Sequence, residues 1–161
     1  MDVSEARGPA LGTDARLDFL SPAWMAMALA ETQAAVAGAP GGASISLKVV
    51  ERFSDPPPGA AVPDLGEPGF VLEIFAGEVR MRAAVLPGDR GEFELDCPWI
   101  DAWRSVAMRH GPGLEAFNAW RTDTGRMTVR GGLPANAAFL AGVHDRVADR
   151  TVAPDPDLWP E

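Results

Sequence analysis

Four separate segments of the chain alternate apolar and polar residues with a period of two, and this pattern restricts the fold most strongly. Successive side chains of a β-strand point to opposite faces, so the apolar residues of each segment share one side. The apolar sets are Ile45, Leu47, Val49 and Phe53; Phe70, Leu72 and Ile74; Val79, Met81, Ala83 and Val85; and Phe93, Leu95 and Cys97. The pattern predicts four strands of a sheet with one buried face.

The segments between these strands predict how they connect. A turn near Gly77 joins the second and third strands as a hairpin. Residues 55–69 contain five prolines and predict a loop, because proline cannot donate a hydrogen bond to a neighbouring strand. Met127 and Val129 indicate a fifth, short strand before a pair of glycines.

Helix signals occur both before and after these strands along the chain. Ser21 followed by proline is typical of a helix start and predicts a helix that ends near Val36. Proline also opens a second helix at residue 98, whose apolar face extends to His110. A short helix over 114–121 and a final helix over 134–150 complete the order. Strands and helices in this arrangement predict an α+β domain.

Charge and composition exclude several kinds of partner. A formal net charge of -9 repels nucleic acid and anionic membranes, so we expect no nucleic acid and at most transient membrane contact. The chain has one cysteine, Cys97, and two distant histidines, His110 and His144, so we predict no metal and no cofactor. The absence of a long apolar run predicts a cytoplasmic protein.

The distribution of glycine, proline and charge divides the chain into three parts. Residues 1–18 lack periodicity and are predicted to form a flexible N-terminal arm. Residues 19–150 form the predicted domain, and residues 151–161 an acidic, proline-rich tail.

Three local motifs resemble a known family. They are FLSPAW at 19–24, FELD at 93–96 before the helix that starts at residue 98, and LEAF at 114–117 followed by GRMTVRG at 125–131. Together with the order of elements, these motifs resemble the sterol carrier protein type 2 (SCP-2-like) lipid-binding domains over residues 19–148.

This resemblance implies a fold and a class of ligand. The fold would be a five-stranded, mainly antiparallel sheet with helices packed on one face and an apolar tunnel between the layers. The ligands would be fatty acyl chains, acyl-CoA, sterols or phospholipids. The ending Trp159-Pro160-Glu161 is not a peroxisomal address, which favours a bacterial stand-alone protein.

Large apolar side chains on the helices and one strand are the candidate ligand-binding residues. Aromatic stripes on helices also form plain core, so both interpretations stay open for them. The candidates are Trp24, Met81, Trp99, Trp103, Val106, Phe117, Trp120, Phe139, Leu140 and Val143. We expect one polar contact to the ligand head from Arg80, Arg82 or Arg104.

The leading hypothesis is binding or intracellular carriage of a lipid-like ligand without catalysis. A second hypothesis is an accessory interaction subunit of a lipid- or steroid-degrading enzyme, with an enzyme partner or a homodimer. A third is a small hydratase-like enzyme that uses His110 or Asp96. We predict no catalytic residue, and we interpret Cys97 as a small buried hydrophobe rather than a nucleophile.

Overall fold

The elements follow one another in the order that the sequence predicts. The computed structural model describes residues 15–60 and 62–159. Its helices and strands are α1 (Pro22–Gly38), β1 (Leu47–Ser54), β2 (Glu67–Phe75), β3 (Glu78–Val85), β4 (Phe93–Pro98), α2 (Trp99–Val106), α3 (Pro112–Asp123), β5 (Thr128–Gly131) and α4 (Leu140–Asp149). None of these helices in the described chain is both long and apolar enough to cross a bilayer.

The five strands form one sheet in the order β3-β2-β1-β4-β5. β1 pairs antiparallel with β2, β2 with β3, and β4 with β5, whereas β1 and β4 are parallel. The predicted α+β class with a mainly antiparallel sheet is therefore confirmed. The parallel pair places β1 at the centre, where its side chains reach both faces of the sheet.

The predicted alternation separates an inner face, which the helices cover, from an outer face. Inward residues of β1 and β2, such as Leu47, Val49 and Leu72, belong to the buried core. The outer face carries a small apolar cluster of Val50, Val71 and Val85 surrounded by charged side chains. The prediction that Val85 shares the inner face with Val79 and Met81 is therefore wrong, because the strand alternation does not persist past the register shift between β2 and β3. Helices on one face of the sheet thus agree with the prediction.

An irregularity in the sheet brings β2 into the segment that the prolines predict as a loop. The register between β2 and β3 shifts between Pro68 and Val71. Gly69 has φ +151°, and a Cβ there would lie 2.0 Å from the carbonyl oxygen of Glu51 on β1. Glycine is therefore required where the backbone of β2 approaches that of β1. The strand begins at Glu67 instead of after residue 69.

Two helices are shorter than predicted, because tertiary contacts override helical periodicity. α2 ends at Val106, and the backbone N–H of His110 donates to Asp145 Oδ1 at 2.7 Å rather than to a helical carbonyl. α4 begins at Leu140 instead of residue 134, and residues 135–137 form a separate 3-10 turn before it.

Segments at both predicted domain borders contact the body. Leu17 N donates to Arg150 O at 2.8 Å, and Val152 N donates to Leu17 O at 3.0 Å. Trp24 Nε1 donates to Thr151 Oγ1 at 2.9 Å. The rest of the predicted arm and tail, residues 1–14 and 160–161, lies outside the described residues.

Candidate functional site

A cavity of about 510 Å³ lies between the inner face of the sheet and the helices. Strands β1 to β4 and helices α1 to α4 all contribute side chains to its wall. Most of the wall is apolar, including Phe53, Phe70, Leu72 and Met81 from the strands. Ligand pockets in proteins commonly measure about 300 to 1,000 Å³ and have mainly apolar walls. The space therefore has the size and lining of a small-molecule site.

The cavity meets solvent beside the segment that precedes α4. Leu133 is 47% exposed and lines the cavity, and the exposed residue His110 also contributes to its wall. By contrast Val49, Phe53 and Cys97 line the cavity from buried positions on the strands. A ligand can therefore reach the buried wall from the side of residues 133–138.

Seven polar residues interrupt the apolar wall, and two of them are satisfied within their own helices. Thr32 Oγ1 donates to Ala28 O at 2.7 Å, and Ser105 Oγ donates to Ala102 O at 2.9 Å. The other five are Glu51, His110, Asn118, Arg121 and His144.

Arg121 is a cation buried against the cavity, with only 5% of its surface exposed. Its Nε donates to Asn118 Oδ1 at 3.1 Å, and its Nη1 lies 3.8 Å from Cys97 Sγ. The guanidinium also lies 5.2 Å from the centroid of the Phe117 ring. Within the described chain no carboxylate forms an ion pair with it. Burial lowers the pKa of Arg121, but an arginine side chain stays protonated in proteins.

Glu51 is the only carboxylate among the described residues that line this cavity. Desolvation by the surrounding protein raises the pKa of Glu51 to about 7, and the positive charge of Arg121 opposes this rise. Its carboxylate makes no hydrogen bond to any described residue. Near neutral pH the group is therefore divided between its protonated and ionised forms.

Cys97 lies beside Arg121 and is 4% exposed. Burial raises the pKa of its thiol to about 12, so the thiol is protonated at neutral pH. A protonated, buried thiol is a weak nucleophile. The side chain acts as a polarizable part of the cavity wall.

The two histidines lie together at the cavity, with ring centroids 4.7 Å apart. His110 Nδ1 lies 2.9 Å from Asp145 Oδ1, and His144 Nε2 lies 2.7 Å from Met108 O. Burial lowers the pKa of His144 and favours its neutral form. Asp96 lies on the outer face and accepts a hydrogen bond from Arg130 at 3.0 Å. Of the two alternative residues of the hydratase hypothesis, His110 therefore lies at the cavity and Asp96 on the outer face.

The structure divides the ten predicted ligand-binding residues into two groups. Those that line the cavity are Trp24, Met81, Val106, Leu140 and Val143. Those outside the cavity wall are Trp99, Trp103, Phe117, Trp120 and Phe139.

The side chains outside the wall have other packing roles. Trp99 packs edge-on against Phe19 in the core, and Phe139 packs against both large core clusters. Trp103 Nε1 donates to the carbonyl oxygen of Val152. The rings of Phe117 and Trp120 stack 5.8 Å apart. Most of these aromatic residues therefore stabilise the fold, which is the alternative that the sequence left open.

The three arginines expected near a ligand head do not line the cavity either. Arg80 bonds to Glu78 in solvent, and Arg82 pairs with Asp89 on the outer face. Arg104 lies 4.3 Å from the centroid of Phe117, which orients it toward that ring.

Two simple patterns would have identified the polar residues that sequence reasoning missed. Glu51 occupies the inward position between Val49 and Phe53, where the alternation requires a core residue. Arg121 follows Leu114 and Phe117 at helical spacing and is buried with them on one face of α3. A charged residue at a position that the pattern buries is the signal in both cases.

Comparison with solved structures finds chains similar to this one at low sequence identity. A crystal structure of sterol carrier protein 2 has a TM-score of 0.45 and 14% identity, and the match covers 83% of this chain and 98% of that chain. The solution structure of a conserved hypothetical protein from Thermus thermophilus has a TM-score of 0.43 and 15% identity, over 88% of this chain and 94% of the other. The ubiquinone synthesis protein UbiJ-SCP2 has a TM-score of 0.43 and 8% identity, and the match covers 80% of this chain and 93% of that chain.

The printed names of two of these proteins contain the family name that the sequence motifs suggest. No protein-family model matches the chain, and no curated protein matches it.

Proposed function

We propose that this protein binds a lipid-like hydrophobic small molecule in the cavity and does not transform it chemically. The observation that carries the proposal is the size and apolar lining of the space between the sheet and the helices. Apolar surface transferred from water to such a wall contributes roughly 25 cal/mol per Å². An apolar ligand would therefore bind there by the same effect that buries the core.

The existence of this space supports the same proposal. Protein interiors are normally packed to the density of organic crystals. This space opens to solvent, and a cavity of its size with polar groups in its wall has room for water when no ligand is bound. We infer that water or a ligand fills the space, and its apolar wall favours a ligand.

The opening beside Leu133 supports carriage as well as binding. Several residues of the 133–138 segment are exposed while they line the cavity. A ligand that enters beside the exposed residues of this segment would not require global unfolding of the domain.

A pair of variants tests the proposal directly. Native mass spectrometry and titration with a fluorescent fatty acid would measure occupancy and affinity of the purified protein. Val106→Trp places a larger side chain at a half-buried position of the cavity wall, and we expect it to abolish binding. Phe75→Ser is the matched control, because Phe75 is 72% exposed and does not line the cavity.

The outcomes distinguish a cavity ligand from a surface-bound probe and from a protein partner. Binding that survives Phe75→Ser and disappears in Val106→Trp supports the proposal. Loss of binding only in Phe75→Ser would mean that the probe binds the surface around Phe75 and not the cavity, which would contradict the proposal. A purified protein that carries and binds no apolar molecule, yet co-purifies stoichiometrically with an enzyme, would favour the interaction-subunit hypothesis.

A further inference from the structure

The cavity wall contains one buried cation and one carboxyl group that do not form an ion pair. Arg121 uses Nε and Nη1 for Asn118 and Cys97, and its Nη2 makes no hydrogen bond within the described chain. Glu51 has no hydrogen-bond partner among the described residues. Both side chains nevertheless line the same cavity.

Such an arrangement is unfavourable in an otherwise apolar space. A buried charge is stable only when a counter-charge or several hydrogen bonds compensate for lost hydration. A thiol and one amide oxygen are weak partners for a guanidinium that keeps its charge. The cavity therefore has an unmet requirement for a negatively charged hydrogen-bond acceptor near Arg121.

We propose that Arg121 binds the head of a single-carboxylate amphiphile, and that Glu51 takes up a proton when this ligand enters. This inference rests on the proposed function, because the apolar part of the ligand must occupy the remainder of the cavity. It names the chemical class of the ligand and the regulation of its binding.

A carboxylate matches Arg121 better than the other head groups do. The planar guanidinium forms parallel hydrogen bonds with the two oxygens of a carboxylate. A phosphate monoester carries about two negative charges, and this cavity offers one buried cation. A sterol hydroxyl provides a hydrogen bond but no counter-charge. The charges of the cavity therefore select a monoanion.

Proton uptake follows from the position of Glu51. Before binding, the ionised form of Glu51 partly balances the charge of Arg121, and its pKa of about 7 reflects both desolvation and that attraction. A second carboxylate at Arg121 makes two like charges share one cation in a poorly hydrated space. Like charges in one site raise the pKa of one group, so Glu51 becomes protonated.

The other titratable groups that face this cavity do not provide the same linkage. Cys97 on β4 stays a protonated thiol. Asp101 on α2 does not line the cavity and accepts two hydrogen bonds from Arg126, of 2.8 and 2.9 Å. From α1, β2 and β3 the wall receives only uncharged side chains. The remaining groups are His110 and His144, which contact Asp145 Oδ1 and Met108 O, respectively.

Calorimetric titration with dodecanoic acid and 1-dodecanol tests the inference. Between about pH 6 and pH 9 the free acid is ionised, and buffers of different ionisation enthalpy report protons taken up. For the wild-type protein we expect uptake of up to about one proton per acid bound. The affinity for the acid should fall by up to about tenfold per pH unit above neutrality. The alcohol should show neither effect.

Two variants assign these effects to residues. Glu51→Gln keeps the shape of the side chain but cannot titrate, so dodecanoic acid should bind without proton uptake and with a flat pH profile. Arg121→Gln should lower the affinity for dodecanoic acid roughly 10- to 100-fold, because a charged hydrogen bond is lost. The affinity for 1-dodecanol should stay nearly unchanged. If Arg121→Gln does not fold, the titration of Glu51→Gln with dodecanoic acid still shows whether Glu51 takes up the proton.

Each outcome has a definite meaning. Proton uptake that persists in Glu51→Gln, or equal affinities of wild-type protein for acid and alcohol at all pH values, would overturn the inference and leave the proposed function intact. Binding of neither probe would instead contradict the proposed function itself.

Discussion

Charged side chains on the two faces of the central strand, β1, have different surroundings. Arg52 points to the outer face, where its Nη1 donates to Glu94 Oε1 at 3.0 Å and its Nη2 donates to Asp89 O at 2.9 Å. Its neighbour Glu51 points inward and has no such partner in the described chain. One residue along β1 thus separates a charge in an ion-pair network from a charge that faces an apolar cavity.

The pKa values follow the same division. Hydrogen bonds from Arg82 hold the pKa of Asp89 well below its usual range, and Arg52 lowers the pKa of Glu94. On the inner face, desolvation raises the pKa of Glu51 to about 7. The outer charges therefore stabilise the folded sheet when ionised, whereas the inner charge costs stability when ionised. A strongly shifted pKa in a cleft marks a candidate functional site.

The largest expected effect comes from removing the centre of the outer network. Asp89 is buried, accepts from Leu86 N at 2.8 Å and pairs with Lys48 and Arg82. Asp89→Ala should lower the free energy of unfolding by roughly 3 to 4 kcal/mol, because two partly buried cations lose their partner. Urea denaturation at neutral pH measures the change. Asp64→Ala, at an exposed position, should stay within about 0.5 kcal/mol.

The pH dependence of that variant has a definite sign. A carboxyl group with a lowered folded-state pKa contributes stability above its unfolded pKa, near 3.8, and this contribution is lost as the pH falls. Asp89→Ala should therefore unfold with a weaker acid dependence than wild-type protein below about pH 4. Equal acid dependence in both proteins would show that Asp89 does not carry this linkage.

The second-largest effect on the free energy of unfolding is a stabilisation, and it comes from replacing Glu51 on the inner face. The folded protein keeps a proton on Glu51 up to pH about 7, whereas the pKa of an unfolded glutamate side chain is 4.5. Stability from this group is thus complete below the lower value and decreases as the pH rises to the higher one. Glu51→Gln should therefore be more stable than wild type at pH 8, on the order of 2 to 3 kcal/mol.

Thermal unfolding from acidic to mildly alkaline pH checks this prediction. The difference between Glu51→Gln and wild type should shrink toward zero as the pH falls to 4.5 and below, where Glu51 becomes protonated in both states. A variant that is less stable than wild type at pH 8 would mean that ionised Glu51 stabilises Arg121 more than desolvation penalises it.

The smallest effect should come from the exposed rim of the outer network. Arg130 is bound to Asp96 at 3.0 Å, but 54% of its side chain is exposed. Exposed ion pairs contribute about 0 to 1 kcal/mol and are screened by salt. Arg130→Ala should therefore change the free energy of unfolding by less than about 1 kcal/mol in moderate salt. A loss comparable to that of Asp89→Ala would show that the network acts as one cooperative unit.

Local patterns in the sequence were sufficient to predict the strands and most of the residues on their buried face. Alternation identified Leu47, Val49 and Leu72 as inward residues, since strand geometry alone decides which side chains share a face. The parallel pairing of β1 with β4 and the register shift beside Gly69 depend on contacts between distant segments. No local pattern contains that information.

The candidate site was less accessible to sequence reasoning. Trp24 and Trp99 have the same apolar character, yet the first lines the cavity and the second is enclosed by core aromatic rings. Hydrophobicity reports burial and does not distinguish a wall from a filled interior. The charges at Glu51 and Arg121 were the informative exceptions, because each breaks a periodic pattern at an inward position.

A crystal structure of the protein with an ω-bromo fatty acid would test the central claim most directly. The bromine gives an anomalous signal that locates the apolar end of the ligand. We predict this signal inside the cavity, among side chains such as Leu72 and Met81, with the carboxylate at Arg121. A signal only on the outer surface, with the cavity filled by the protein's own side chains, would contradict the account.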